Sequence, residues 1–295
     1  MKILITGGSG FIGRNLKEQY AGRYRIVAPS RAELNLLDPE AVRTYLEKQQ
    51  FDVVIHAATE RSNRRLGSPP DLFENNCRMF FNLARSERYF GRMLFLSSGA
   101  VYGRTQACRV PETAFDARVP AEPYGFSKYV CAKAIAAMDR VHELRLFAVF
   151  GRYEDWQVRF ISNACCRAVW NLPVVIRQNV LFDYLDVEDL GWILDCFLRK
   201  DLQHRHYNVC TGRALDLKSL AEKVVSASGK KLEIRVNGEG LGREYSGDNT
   251  RMLGEIPDFQ FRGIDESIAL LLRWYEERKD LIDPKLLGFD EMSES

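Results

Sequence analysis

The stretch Lys2-Ile-Leu-Ile-Thr6-Gly7-Gly8-Ser9-Gly10-Phe11-Ile12-Gly13 decides how the rest of the chain is read. Lys2 to Thr6 is a short apolar run ending in glycines, the pattern of a buried strand that runs into a turn. Phe11 to Ala21 then reads as a helix. The glycines fit both Gly8-x-Gly10-x-x-Gly13 and Gly7-x-x-Gly10-x-x-Gly13. Such spacing allows a tight turn, close backbone approach to a diphosphate, and close packing of helix on strand. The helix N-terminus adds N–H groups and a favourable dipole. A bare G-x-G-x-x-G is weak, because glycine turns are common. With a strand before it and a helix after it, this one predicts a dinucleotide site.

Outward from that turn, strands and helices alternate. Strands are expected at Tyr24–Ala28, Phe51–Ala57, Arg92–Ser97 and Glu143–Phe150, and helices at Pro39–Gln50, Asp71–Tyr89 and Tyr124–Ala137. Asp38 is placed to cap the Pro39 helix. Nearly continuous apolar strands between helices predict an α/β fold, a doubly wound parallel sheet covered on both faces. After Gly151 the pattern loosens. Helices are expected at Arg159–Trp170, Leu190–Arg199, Leu217–Ala227 and Ile264–Arg278, and strands at Pro173–Ile176, Tyr207–Cys210 and Leu232–Val236. Asp290–Ser295 is expected to fray. This divides the chain into a dinucleotide-binding domain at 1–150, to which 181–212 returns, and a smaller mixed α/β C-terminal substrate lobe at 151–180 and 213–295.

Composition narrows the function classes. The 295 residues carry a net charge of +2 from interleaved Lys, Arg, Asp and Glu. No basic stripe points to nucleic acid; Arg61, Arg64 and Arg65 read as solvated loop charges, with a place near a phosphate as the alternative. Seven cysteines lack metal-site spacing and mostly sit in apolar runs, as small free hydrophobes do. They predict a reducing, cytoplasmic setting. Four histidines form no ligand cluster, so no metal is expected, and no apolar run is long enough to cross a bilayer.

The tail of the second strand speaks to the cofactor. A carboxylate there would hold the ribose hydroxyls of NAD. The chain reads Ala28-Pro29-Ser30-Arg31 instead. The hydroxyl of Ser30 and the guanidinium of Arg31 suit a 2′-phosphate, which favours NADPH with NAD as the alternative. Against this stand the abundance of surface arginines and the nearby Glu33.

Two further segments carry chemistry. Tyr124 and Lys128 lie four apart at a helix start, on one face. An ammonium beside a phenol favours the phenolate and makes an acid–base of a group with pKa near ~10. Alone, a Tyr-x-x-x-Lys pair is common. Ser98 lies at the C-terminal end of a strand, where ligands bind in such sheets, and can hold a substrate carbonyl. A plain turn-capping role suits Ser97 better than Ser98.

Together these segments resemble the extended short-chain dehydrogenase/reductases, the nucleotide-sugar epimerases, dehydratases and reductases built on a Rossmann sheet. The likeness rests on TGGSGFIG, His56-Ala57-Ala58, Asn76 and Asn82, SSGAVYG, YGFSK, Leu144-Arg145-Leu146-Phe147 and Tyr207-Asn208-Val209. It implies that Ser98, Tyr124 and Lys128 are catalytic. It also implies cofactor contacts from Gly7, Gly10, Phe11, Ile12, Gly13, Ser30, Arg31, Ala57 and Lys128, with Asn35 and Leu36 near the adenine. Ser30 to Asp38 looks most like the NADPH-using 4-keto-sugar reductases.

Departures from the family pattern are informative. Dehydratases carry an acidic pair where Gly99 and Ala100 stand, so 4,6-dehydration is not expected. Reductases that also epimerise carry a cysteine at the place of Ala100 and a histidine after Gly151, where this chain has Trp156, Gln157 and Arg159. Phe182 replaces an arginine that grips the diphosphate, and Ala148 replaces an asparagine near the sugar. Arg159, Arg177 and Arg243 are the candidates to supply the missing charge. The expected substrate is a nucleotide sugar, held near Ser98, Tyr124, Ala148 and Phe182. Reduction of a nucleotide-linked 4-keto sugar is the leading expectation. An NAD-dependent 4-epimerase and a non-catalytic dinucleotide sensor are the alternatives, and the family implies a homodimer.

Overall fold

The computed structural model describes residues 1–61, 67–103 and 108–291. Arg64, Arg65 and residues 292–295 lie outside them. In chain order the first half contains β1 (Lys2–Thr6), α1 (Phe11–Tyr20), β2 (Arg25–Val27), α2 (Pro39–Gln49) and β3 (Phe51–His56). It continues with α3 (Leu72–Ala84), β4 (Phe90–Ser98), α4 (Pro123–Ile135) and β5 (Val141–Leu146). Next come β6 (Ala148–Phe150), α5 (Phe160–Val169), β7 (Val174–Ile176), β8 (Asn179–Phe182), β9 (Tyr184–Asp186) and α6 (Val187–Leu198). The chain closes with β10 (His206–Val209), β11 (Leu215–Asp216), α7 (Leu217–Ser228), β12 (Ile234–Val236), β13 (Leu241–Tyr245), α8 (Thr250–Glu255) and α9 (Ile264–Glu276).

Six strands form one parallel sheet in the order β10-β5-β4-β3-β1-β2. Alternate residues of each strand face opposite ways, and the core divides accordingly. Ile3, Ile5, Val53, Ile55, Leu94, Leu96, Leu144 and Leu146 meet α1 and α6 on one face. Leu4, Val54, Met93, Phe95 and Val141 meet α2, α3 and α4 on the other. Both faces are covered, which is why the strands read as unbroken apolar runs. Asp38 caps α2, its carboxylate accepting from the Glu40 and Ala41 N–H groups.

A second apolar core lies among α5, α7 and α9, with Ile161, Cys165, Leu220, Val224, Ile268 and Leu272 inside it. Short sheets border it: β12 pairs with β7, and β8 is flanked by β11 and β13. All seven cysteines are free. Among the described residues no helix is long and apolar enough to cross a membrane.

The structure corrects several expectations. The expected Asp71–Tyr89 helix ends at Ala84, and a separate 3-10 turn covers Glu87–Tyr89. The expected strand Glu143–Phe150 is two strands. β5 leaves the main sheet at Leu146, the ring of Phe147 stacks on Tyr102, and β6 then pairs with β9. Strands β8, β9, β11 and β13 and helix α8 were not anticipated. Of the stretch expected to fray, residues 290 and 291 end a 3-10 segment, Pro284–Glu291.

Candidate active site

The strand order reverses between β1 and β3, the place where an open α/β sheet forms its ligand crevice. The glycine turn lies there. Gly7 adopts φ +69°, and a Cβ on it would stand 2.7 Å from the Ala58 nitrogen. A Cβ on Gly13 would stand 2.3 Å from the Gly7 carbonyl oxygen. Gly10 donates its N–H to that same oxygen at 2.9 Å and begins α1. The turn is therefore folded tightly against the ends of β1 and β3, with Ser9 and Gly10 exposed above it. Replacing Gly13 by Ala is expected to open the turn, because the obstructing atoms are backbone. Dinucleotide affinity, measured by titration calorimetry, should fall at least ~10-fold, about 1.4 kcal/mol.

Beside the turn, Ser30 and Arg31 are exposed in the loop after β2. Among the described residues no group pairs with the Arg31 guanidinium. Glu33 turns back and accepts the Ser30 backbone N–H at 2.7 Å, which lowers its carboxyl pKa. Asn35 is exposed, while Ile12 and Leu36 place their side chains in the two cores. Phe11 and Ala57 are half-buried against the first core. Asn82 donates to the Leu36 carbonyl at 2.9 Å, and Asn76 accepts the Glu60 N–H at 2.7 Å. These two amides of α3 pin the loops that border the crevice.

Ser98 ends β4 and Tyr124 lies in the first turn of α4, after Pro123 at the first helical position. One helical turn on, Lys128 is buried to 2% exposure. Its Nζ stands 3.4 Å from the Leu96 carbonyl and 5.7 Å from the Tyr124 ring centroid. Burial pushes the Tyr124 phenol up, but the charges of Lys128 and Arg61, a hydrogen bond with Ser98, and the charge of Arg159 outweigh it. The net effect holds this phenol below the ordinary tyrosine value. His56, in contrast, is driven down to about 3 by burial and by Lys128, and its neutral ring bonds Thr6 Oγ1 at 2.7 Å.

The turn-capping role expected of Ser97 falls to Ser98, whose Oγ accepts the Ala100 N–H at 3.2 Å and starts the 3-10 turn Gly99–Tyr102. Of the substrate candidates, Arg159 stands at the start of α5 with its charge felt at Tyr124, and Ala148 begins β6. Phe182 lies 5.9 Å, ring to ring, from Tyr245. Arg177 and Arg243 are exposed beyond β7 and on β13, and no described group pairs with either. Two residues near Tyr124 escaped the sequence reading as members of this site. Arg61 follows the β3 end, a position that could have drawn attention to it. Tyr245 had no signal at all.

A sequence profile described as the NAD dependent epimerase/dehydratase family matches residues 3–210, from β1 through β10. The chain belongs to that family. It is an extended short-chain dehydrogenase/reductase, and by family an NAD(P)-dependent oxidoreductase.

Relatives carry different activities. GDP-L-fucose synthase of Azorhizobium caulinodans is 31% identical over 48% of this chain, and that match spans about half, 47%, of its own length. GDP-6-deoxy-D-mannose reductase of Pseudomonas aeruginosa is 26% identical, covering 79% of this chain and 82% of that one. ADP-L-glycero-D-manno-heptose-6-epimerase of Cupriavidus pinatubonensis is 32% identical, covering 77% and 78%. Among solved structures, RMD from Pseudomonas aeruginosa complexed with NADPH superposes with a TM-score of 0.77 at 24% identity, covering 94% of this chain and all, 100%, of that one. These three relatives are each named for a nucleotide-linked sugar.

Proposed function

We propose that the protein reduces a nucleotide-linked 4-keto (deoxy)sugar with NADPH, in the synthesis of a surface polysaccharide or deoxysugar. The observation that carries this reading is the placement of Tyr124 beside Lys128 and Ser98, where the end of β4 meets the start of α4. In this reading residues 1–150 with 181–212 hold the dinucleotide, and 151–180 with 213–295 hold the sugar nucleotide. Gly7 and Gly13 leave no space for a Cβ and keep the turn folded tightly, so that the α1 N-terminus would face the diphosphate.

The bound dihydronicotinamide supplies the hydride. Ser98 holds the substrate carbonyl oxygen, and Tyr124 gives that oxygen its proton as charge develops there. Lys128 keeps the phenol acidic enough to release the proton, and it would also hold the nicotinamide ribose. Gly99 argues against 4,6-dehydration: a Cβ there would stand 2.7 Å from the Phe147 ring, leaving no room for an acid. Arg159, Arg177 and Arg243 are the cations proposed for the diphosphate.

Unpaired Arg31, beside Ser30, supports NADPH over NAD. Arg31→Ala is expected to raise the Kd for NADPH about tenfold and leave that for NADH within about twofold, read by fluorescence titration. The reading as a whole is tested by NADPH oxidation over a panel of nucleotide 4-keto sugars, with product stereochemistry by NMR. Absence of oxidation with every member would overturn it. The likeness to the heptose epimerase favours one second reading, epimerisation. Cofactor that co-purifies and cycles without net oxidation would establish that instead. A homodimer is also proposed, to be checked by light scattering.

A further inference from the structure

Tyr245 ends β13, on an element that the Ser98, Tyr124 and Lys128 pattern does not include. Its phenol oxygen lies 3.5 Å from Ser98 Oγ. The ring tilts 50° against Phe147, with centroids 5.2 Å apart, and meets Phe182 at 5.9 Å. Gly99 creates the space for it: a Cβ at that position would stand 2.8 Å from the Tyr245 oxygen. The volume next to Ser98 that a side chain at 99 would take is thus used by a phenol from another part of the chain. Tyr124, Glu122 and Arg159 are the other ionisable groups felt at this phenol, and burial raises its pKa well above the ordinary value. It therefore keeps its proton and is able to donate it to Ser98 Oγ.

A serine hydroxyl has two acceptor lone pairs and one proton. The Ala100 N–H already donates to Ser98 Oγ at 3.2 Å. If Tyr245 donates as well, both lone pairs are filled, and the serine proton is directed to the side of Tyr124, whose pKa that bond lowers, where a bound substrate oxygen would compete for it.

We propose that Tyr245 is a positioning residue for Ser98, its phenol fixing the serine hydroxyl so that the serine's proton points at the substrate carbonyl oxygen. This rests on the proposed roles of Ser98 and Tyr124. The 3.5 Å separation is longer than a formed O–H···O bond, so the proposal requires the two oxygens to close together when substrate fills the site.

The test is a double-mutant cycle on the full-length enzyme, with a 4-keto sugar that the panel shows to be reduced. Tyr245→Phe keeps the ring on Phe147 and Phe182 and removes only the hydroxyl. It is expected to lower kcat about tenfold while KM and NADPH affinity stay within about twofold. In a Ser98→Ala background the same change should alter kcat less than about twofold, because no serine proton remains to be aimed. Equal losses in both backgrounds, or no loss in the native one, would overturn the proposal. Tyr124→Phe separates the two levels. If Tyr124→Phe stays active, the site reading fails; if it is inactive and Tyr245→Phe is native-like, only the role of Tyr245 fails.

Discussion

Tyr124→Phe is expected to lower kcat for keto-sugar reduction about a thousandfold, with the NADPH Kd within about twofold of native, as stopped-flow turnover and a binding titration would show. The reasons lie in the local field. The phenol is pushed up by burial, yet the opposing charges of Lys128, Arg61 and Arg159 and the bond with Ser98 bring it below the usual tyrosine range. Phenylalanine keeps the ring and its packing at the start of α4 and removes the only proton these groups are arranged to move. The glycine turn, which does not depend on the phenol, stays intact.

The sign of the pH dependence follows. Reduction needs the protonated phenol, so turnover should decline as pH rises through its lowered pKa. Removing a cation, as in Arg159→Gln, raises that pKa and should move the alkaline limb to higher pH. A limb that moves the other way, or a Tyr124→Phe enzyme that turns over normally, would refute the assignment.

Arg145→Leu should cost about 3–5 kcal/mol of stability and lower Tm by about 10 °C, measured by chemical and thermal unfolding. The Arg145 and Glu143 side chains are both fully buried on β5, and Nε donates to Glu143 Oε2 at 2.8 Å. Nη1 donates to the Tyr102 oxygen at 2.8 Å, and Tyr102 in turn donates to Asn208 Oδ1 at 2.7 Å. The guanidinium also lies 4.5 Å from the Phe115 ring centroid and 5.0 Å from that of Tyr102. Leucine would fill much of the volume but leave the buried Glu143 carboxylate without its guanidinium, with the His206 ring at 2.7 Å.

In the native protein burial raises the Glu143 pKa, but Arg145 and His206 more than offset it, and the net shift is downward. A depressed carboxylate adds stability that is present above the unfolded pKa and lost as pH falls through the folded one. Without Arg145 burial dominates and the folded pKa rises above the unfolded value. The folded variant then binds more protons than the unfolded chain, and its stability should fall as pH increases from about 5 to 7. A variant whose loss is flat across that range would show that the pair is not coupled in this way.

The main sheet was legible in the sequence because its strands are buried on both faces. Ile3 to Ile5, Val53 to Ile55 and Met93 to Leu96 each read as an apolar block, whichever way a side chain points. The split of Glu143–Phe150 at Phe147 was not legible. The residues on both sides are apolar, and only the pairing of β6 with β9 shows where the chain leaves the sheet. Strands β8, β11 and β13 are two to five residues long and partly exposed, so they carry no periodicity to read, whereas the short pair β7 and β12 was expected.

By itself the sequence determined the glycine turn, the alternation of strand and helix, and the serine, tyrosine and lysine that converge on the crevice. Each of those signals is local, a few residues whose spacing already states their geometry. Only the tertiary structure decided that Tyr245, 147 residues from Ser98, stands beside it, and that Gly99 leaves the room. That contact depends on β13 pairing with β8 and on Phe147 turning out of the sheet. Non-local pairing of short, half-exposed strands is set by the packing of the whole chain, and no window of sequence contains it.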